Sequence, residues 1–241
     1  MSLLEITPFT VATLDVGGDG AGGGGPSEGF QVVGYNVQEP AAGGNFQFLI
    51  PEDTEEDDQI WVFSGGRTGA DLTGAVTNYT QAFYYDEGGN CRTQGYYRYA
   101  GAAEGGTTET WTKNNLRESV HCMLVVRGGV TSGDPLDVAI VKQSDYLAVM
   151  NFLPVTTVTN GCFLIGWYGK RWNGAFFLED YDYPPGRTGI LRRFEPMGES
   201  IGGLAVHQGG DAGLQAGVSW PTLPAGETNL GIQITIALKA G

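Results

Sequence analysis

The sequence predicts an all-β protein, an antiparallel β-sandwich preceded by an extended arm. Short runs rich in β-branched and aromatic residues recur along the chain, and clusters of Gly, Pro, Asn and Asp separate them. No long window sustains the apolar period of an amphipathic helix. With 241 residues, of which 41% are hydrophobic, the chain is long and apolar enough for one large β unit with a buried core.

The predicted strands are short and lie between turn-forming residues. In the first half of the chain they are FQFLI (46–50), QIWVF (59–63), YTQAFYY (79–85), QGYYRYA (94–100), TTETWT (107–112) and VHCMLVVRG (120–128). In the second half they are VTTVT (155–159), CFLIGWYG (162–169), ILRRFEP (190–196), IGGLAVHQ (201–208), LQAGVSW (214–220) and GIQITIALK (231–239). Strands of this length joined by turns are typical of sandwiches.

Alternation predicts which side chains face the core. One face of the last strand carries the aliphatic residues Ile232, Ile234, Ile236 and Leu238. Gln233 and Thr235 are expected to face outward. In TTETWT, Thr108, Thr110 and Thr112 share one face, while Glu109 and Trp111 share the other. Residues 121–126 are apolar almost throughout, which predicts a central strand that is covered on both sides.

The first 45 residues differ in composition from the rest. Residues 17–25 read GGDGAGGGG, which cannot bury side chains and loses much backbone entropy on ordering. The sequence therefore predicts an attachment arm over 1–45 and a sandwich over 46–241. We expect a neighbouring subunit to hold the arm, in a homo-oligomer. Deletion of residues 1–44 is expected to leave the sandwich folded.

Charge restricts the classes of partner. The chain has 27 acidic and 13 basic residues, and its net charge is −14. Nucleic acids and anionic membranes both require a basic surface, so neither is an expected partner. The first residues have no basic region followed by an apolar run, so we expect no signal peptide, and no apolar run is long enough to predict a membrane span. We expect synthesis in a reducing cytoplasm.

The cysteines and histidines do not form a pattern typical of a catalytic or metal-binding site. Cys91, Cys122 and Cys162 are odd in number and widely spaced, so buried free thiols are the first expectation and an inter-chain disulfide the alternative. His121 and Cys122 are adjacent and would face opposite sides of a strand. Neither a G-x-S-x-G elbow nor a phosphate-binding glycine loop occurs. The sequence therefore predicts a protein without enzymatic activity or a required cofactor.

An acidic turn precedes the second predicted strand. It contains Glu52, Asp53, Glu55, Glu56, Asp57 and Asp58. Mutual repulsion favours a solvated turn, and a site for calcium or for a basic partner is the alternative. Further along, Arg127 is expected to pair with Asp134 or Asp137, or to remain solvated.

Residues 167–186 combine aromatic rings with carboxylates. Such a combination can bind sugars, and it also suits a packed loop or a subunit interface. The candidate contacts to a glycan or to another subunit are Trp167, Tyr168, Trp172, Tyr181, Tyr183, Asp180 and Asp182. A second aromatic set, within 79–99, is expected to form cross-strand pairs.

The order of several motifs resembles a family of virion proteins. Ile50 and Pro51 open a polar turn that closes on Asp58, and GYYRYA (95–100) precedes a Thr-Trp-Thr strand. MLVVRGGVTSGDPLDV (123–138) ends a strand in Arg-Gly before an Asp-Pro-Leu-Asp loop. TVTNGCFLIGW (157–167), a Leu-Ala-Val strand and a terminal A-L-K-A follow. Together they resemble the jelly-roll-like sandwich modules of tailed-bacteriophage head decoration, tail and fibre proteins.

This resemblance implies a structural role in a virion and transfers no catalytic residue. It implies a capsid decoration or cement protein, or a short head fibre, that assembles as a trimer on the major capsid protein. The alternative is a tail fibre or baseplate component that recognises host surface glycans.

Overall fold

The computed structural model describes residues 29–38, 44–67, 72–88, 91–114, 119–147, 151–171, 188–194, 200–219 and 229–241. In these ranges the chain forms antiparallel β-strands and a single 3-10 helix at Ala75–Asn78, which confirms the predicted all-β sandwich. Within the same ranges, no helix is long and apolar enough to cross a membrane.

The described residues form three sheets and two ribbons. The central sheet has the order β1 (Gln31–Gln38), β8 (Ser119–Arg127), β3 (Gln59–Arg67), β6 (Cys91–Tyr99) and β5 (Thr80–Glu87). The second sheet has the order β13 (Thr188–Phe194), β14 (Ser200–Gln208), β12 (Phe163–Arg171), β17 (Asn229–Leu238) and β9 (Val141–Leu147). The small sheet has the order β2 (Gly44–Leu49), β7 (Thr108–Lys113) and β4 (Leu72–Gly74). The ribbons pair β10 (Asn151–Phe152) with β16 (Val218–Ser219), and β11 (Val155–Thr157) with β15 (Gly213–Gln215).

The main core lies between the central and second sheets. Phe63 stacks on Trp61 and on Trp167 of the opposite sheet, with ring centroids 6.1 and 5.4 Å apart. The aliphatic face of β17 is fully buried in this core, which confirms the alternation predicted for that strand. Burial of each large apolar side chain contributes about 1.5–3 kcal/mol.

Two glycines bring the facing sheets into backbone contact. A Cβ added to Gly65 of β3 would lie 2.9 Å from the Cα of Gly169 in β12. Beside this contact the Trp167 indole donates to Thr93 Oγ1 at 2.6 Å, and Thr93 donates to the Ser64 carbonyl at 2.8 Å. At these two positions no side chain larger than hydrogen fits between the strands.

A second core lies on the other face of the central sheet. There the small sheet contributes Phe46, Phe48 and Trp111, which pack against Ile60 and Met123. Residues 119–126 of β8 are therefore buried on both faces, as the apolar run predicted for a covered central strand.

The outer face of the second sheet is covered as well. Gln233 and Thr235 do lie on that face, but neither has an exposed surface. Thr235 Oγ1 accepts a hydrogen bond of 2.8 Å from the backbone N–H of Leu153, next to the first ribbon. Thr235 thus serves the covering segment, because a buried N–H group needs an acceptor.

The sandwich begins earlier than the composition suggested. Strand β1 pairs with β8 from Gln31 to Gln38, and Phe30 stacks on Phe163 with ring centroids 5.0 Å apart. Residues 30–38 thus belong to the central sheet, although the prediction placed them in the arm. The physical reason is that residues 30–37 are rich in β-branched and aromatic side chains, although they directly follow the glycine-rich stretch. Residues 1–28 lie outside the described part of the chain, and the jelly-roll connectivity stays a prediction.

Candidate functional site

Two members of the predicted aromatic set lie in the protein core. Trp167 is 1% exposed between the two large sheets, and Tyr168 is 2% exposed on the opposite face of β12. Burial holds the pKa of Tyr168 well above its ordinary value. The structure therefore uses both rings for packing within this chain. The other members, Trp172, Tyr181, Tyr183, Asp180 and Asp182, lie outside the described residues.

Arg127 pairs with the acidic turn and not with the carboxylates expected from the sequence. Its Nε donates to Asp58 Oδ1 at 2.9 Å, and its Nη2 donates to Asp58 Oδ2 at 2.8 Å. Nη2 also donates to the Asp53 carbonyl at 2.8 Å, and Glu55 lies 3.1 Å from Nη1. These hydrogen bonds raise the pKa of Arg127. The predicted pairing of Arg127 with Asp134 or Asp137 is wrong.

The buried side chain of Asp58 stabilises the acidic turn through hydrogen bonds. Its side chain is 3% exposed, and besides Arg127 its carboxylate accepts the Glu55 backbone N–H at 2.8 Å. The turn is thus ordered by one buried carboxylate, while Glu52, Asp53, Glu55, Glu56 and Asp57 are exposed. In the described ranges no group of three or more His, Cys, Asp or Glu residues could hold a metal ion. The calcium alternative stays a prediction.

The two carboxylates expected near Arg127 stabilise loops. Asp134 Oδ1 accepts the Leu136 backbone N–H at 3.0 Å, which closes a local turn. Asp137 is buried and accepts the backbone N–H groups of Val158 and Thr159 at 2.7 and 3.1 Å. It also accepts the Thr159 hydroxyl at 2.6 Å. Backbone N–H donors therefore occupy both carboxylates.

A second arginine cluster joins the central and small sheets. Arg98 of β6 donates from Nη1 to Glu104 Oε2 and from Nη2 to Glu109 Oε1, both at 2.6 Å. Its guanidinium lies over the Tyr79 ring, 5.1 Å from the centroid, and Nη1 also donates to the Tyr99 carbonyl at 3.1 Å. Four contacts thus fix one planar cation.

Glu109 is held on both of its oxygens. Oε2 accepts the Tyr79 hydroxyl at 2.6 Å and the Trp111 indole N–H at 3.3 Å. Burial, followed by the charge of Glu109, raises the pKa of Tyr79, so its phenol remains a donor at physiological pH. Glu104 differs, since no described residue donates to its Oε1 and its side chain is 32% exposed.

This cluster borders a surface cleft, which we call the Arg98 cleft. Its volume is about 640 Å³, and its main walls are Thr80, Tyr97, Arg98, Tyr99, Glu104 and Glu109. Because β5 begins at Thr80, opposite Tyr97, the last residues of β6 have no strand beside them on that edge. The cleft fills this corner, and Gly101 and Gly133 form its rim.

Two tyrosines form the aromatic part of the cleft. The Tyr97 ring stacks on Trp61 with centroids 5.1 Å apart, and it meets Tyr99 nearly edge-on. The Tyr99 hydroxyl donates to the Gly133 carbonyl at 3.2 Å. Burial raises the pKa of Tyr99 to about 12, with smaller effects from Tyr97 and Asp134. Both rings are therefore neutral and held in place.

The three cysteines and His121 of β8 have structural roles. All three cysteines are buried and free, as expected from the sequence. Burial raises the pKa of the Cys122 thiol, which keeps it protonated and unreactive. His121 is fully buried, lies 2.8 Å from Ser119 Oγ through Nε2 and stacks on Phe46. Burial, aided by the charge of Lys113, lowers the pKa of His121 to about 3.

The Arg98 cleft was missed because its members come from separate sheets. Alternation places Arg98 on one face of β6 and Glu109 on the inner face of β7, but only the packing of the small sheet on the central sheet brings them together. The tyrosine-rich strand was the available signal, and it was assigned to cross-strand pairing alone.

No protein-family model matches the chain, and comparisons with curated proteins and with solved structures find no match.

Proposed function

We propose that this chain is a structural protein of a bacteriophage particle, a capsid decoration or cement protein or a short head fibre. In this proposal the residues before β1 attach it to the major capsid protein, and the sandwich assembles as a homotrimer. Its location is the virion, and its work is binding.

The observation that carries the proposal is that the motifs of the resemblance are bonded to one another. Asp58, at the end of the Ile-Pro turn, binds Arg127 of the Arg-Gly motif across 69 positions of the chain. Asp137, the last residue of Asp-Pro-Leu-Asp, binds Val158 and Thr159 of the T-x-T-x-G motif. Motif residues that depend on each other support a common structural unit better than isolated strand-like runs do.

The first test is the number of copies per particle. Quantitative mass spectrometry of purified particles would compare this chain with the most abundant shell protein. The proposal expects one copy per shell subunit, or one trimer per local three-fold axis. A few copies per hundred shell subunits would favour a tail or baseplate component, and absence from particles would contradict both roles.

Two deletions would test the attachment role of the N-terminal residues. Removal of residues 1–28 keeps all of β1, so we expect normal thermal unfolding and loss of incorporation into particles. Removal of residues 1–44 also removes β1, the hydrogen-bonded neighbour of β8 in the central sheet, so we expect no folded protein. Full incorporation of the shorter deletion would contradict the attachment role.

A further inference from the structure

Contacts within the protein already hold the central side chain of the Arg98 cleft in place. Arg98 is fixed by two carboxylates, by the Tyr79 ring and by a backbone carbonyl. A polar surface that is already ordered loses little conformational freedom on binding, which favours affinity for a small ligand. The volume of about 640 Å³ lies in the range of small-molecule sites.

The groups that line the cleft suit hydroxyl groups. Oε1 of Glu104 has no donor among the described residues and can accept from a ligand. Nη2 of Arg98 carries two N–H groups and donates only to Glu109 among the described residues, so the guanidinium keeps one donor for a ligand. A ligand that both donates and accepts would complement this pair.

Charge excludes anions from the cleft. Arg98 contributes one positive charge, and Glu104 and Glu109 contribute two negative charges, so the cluster carries a net charge of −1. Asp134 adds a negative potential that acts on Tyr97 and Tyr99. A metal cation is also disfavoured, because the guanidinium already lies between the carboxylates. A neutral polar ligand remains.

The tyrosine rings suit the apolar face of a sugar. A pyranose ring presents C–H groups on its face and hydroxyl groups at its rim. Tyr97 and Tyr99 combine an apolar ring with a polar hydroxyl at the same cleft. Such a pairing of rings with hydrogen-bonding groups orients a ligand that is apolar on one side and polar at its edge.

We propose that the Arg98 cleft binds a neutral hexose or N-acetylhexosamine unit of a polysaccharide. The sugar lies against Tyr97 and Tyr99, and its hydroxyl groups bond to Glu104 and Arg98. The proposal does not depend on a role in a virion.

Saturation-transfer NMR on the full chain tests the proposal. The probes are glucose, galactose, mannose, N-acetylglucosamine and N-acetylgalactosamine, with glucuronic acid and sialic acid as anionic comparators. We expect transfer to at least one neutral sugar and none to the acids. Titration with the strongest binder then gives its dissociation constant for each variant.

Variants locate the site and control for folding. Gly101→Val places a side chain at the rim, where an added Cβ meets the flexible end of Glu104 at 3.1 Å, and it should weaken binding about tenfold. Glu104→Gln should weaken binding while leaving the fold unchanged. The matched control is Gly210→Val, at an exposed position with nothing within 4 Å of an added Cβ.

Three results would overturn the proposal. One is the absence of transfer to every neutral sugar, and another is tighter binding of an acidic sugar. The third is unchanged affinity in both Gly101→Val and Glu104→Gln. Thermal unfolding of each variant distinguishes loss of binding from loss of fold.

Discussion

Arg98 and Arg127 lie at the same end of the central sheet, on either side of the first residues of β3, yet their surroundings differ. Arg127 meets Asp58, which is 3% exposed and bonded on both oxygens. Arg98 meets Glu104, which is 32% exposed and bonded on one oxygen. The same type of ion pair closes a buried turn at Arg127 and leaves a partly exposed carboxylate at Arg98. Burial of the carboxylate decides between them.

The largest expected effect comes from Asp58. Asp58→Ala removes both hydrogen bonds to Arg127 and the acceptor of the Glu55 N–H, so we expect a loss of about 2–4 kcal/mol in the free energy of unfolding. Urea unfolding measures it. Asp57→Asn is the matched control, because Asp57 is exposed, has a φ of 70° and belongs to the same turn. Equal stability of the two variants would show that the buried carboxylate does not hold the turn.

His121 is a third buried ionisable group, and unlike Asp58 it has no opposite charge beside it among the described residues. The pKa of His121 is lowered to about 3 in the fold, so between pH 6.5 and 3 the unfolded chain binds a proton that the folded chain does not. Stability therefore falls as pH decreases through this window, by about 1.4 kcal/mol per pH unit at most. His121→Gln should flatten the pH dependence of urea unfolding between pH 6.5 and 4. An unchanged slope in the variant would mean that other groups cause the loss.

Arg98 is expected to matter less for stability than Asp58. In Arg98→Met, Glu109 keeps its bonds from Tyr79 and Trp111, and Glu104 turns to solvent, so we expect a loss of about 1–2 kcal/mol. The measurement is again urea unfolding. A loss larger than that of Asp58→Ala would reverse the order of the two sites.

The smallest effect is expected for Glu104→Gln. A half-exposed ion pair contributes about 0–1 kcal/mol, so the midpoint of urea unfolding should hardly change. Such a result, together with weaker sugar binding, would assign Glu104 to ligand contact. A loss as large as that of Arg98→Met would instead make Glu104 a structural residue.

Local patterns were predictable from the sequence, and partners across sheets were not. The alternation of β17 and the covered run of β8 follow from side-chain periodicity within one strand. Nearness in sequence favours Asp134 and Asp137 as partners of Arg127, but a neighbouring N–H group binds Asp134 and an N–H group 21 residues away binds Asp137. The partner of Arg127 lies 69 residues away in a turn that only the sheet order places beside it. The Arg98 cleft depends in the same way on how the small sheet packs.

Strand order in the sheets has a consequence for synthesis on the ribosome. Strands β1 to β8 supply the central and small sheets, whereas β9 to β17 supply the second sheet and the ribbons. The second sheet has β17 between β12 and β9, so this layer cannot close until residues 229–238 have emerged. Until then, Phe63 and its neighbours on the central sheet present an uncovered apolar face, which favours association with other nascent chains.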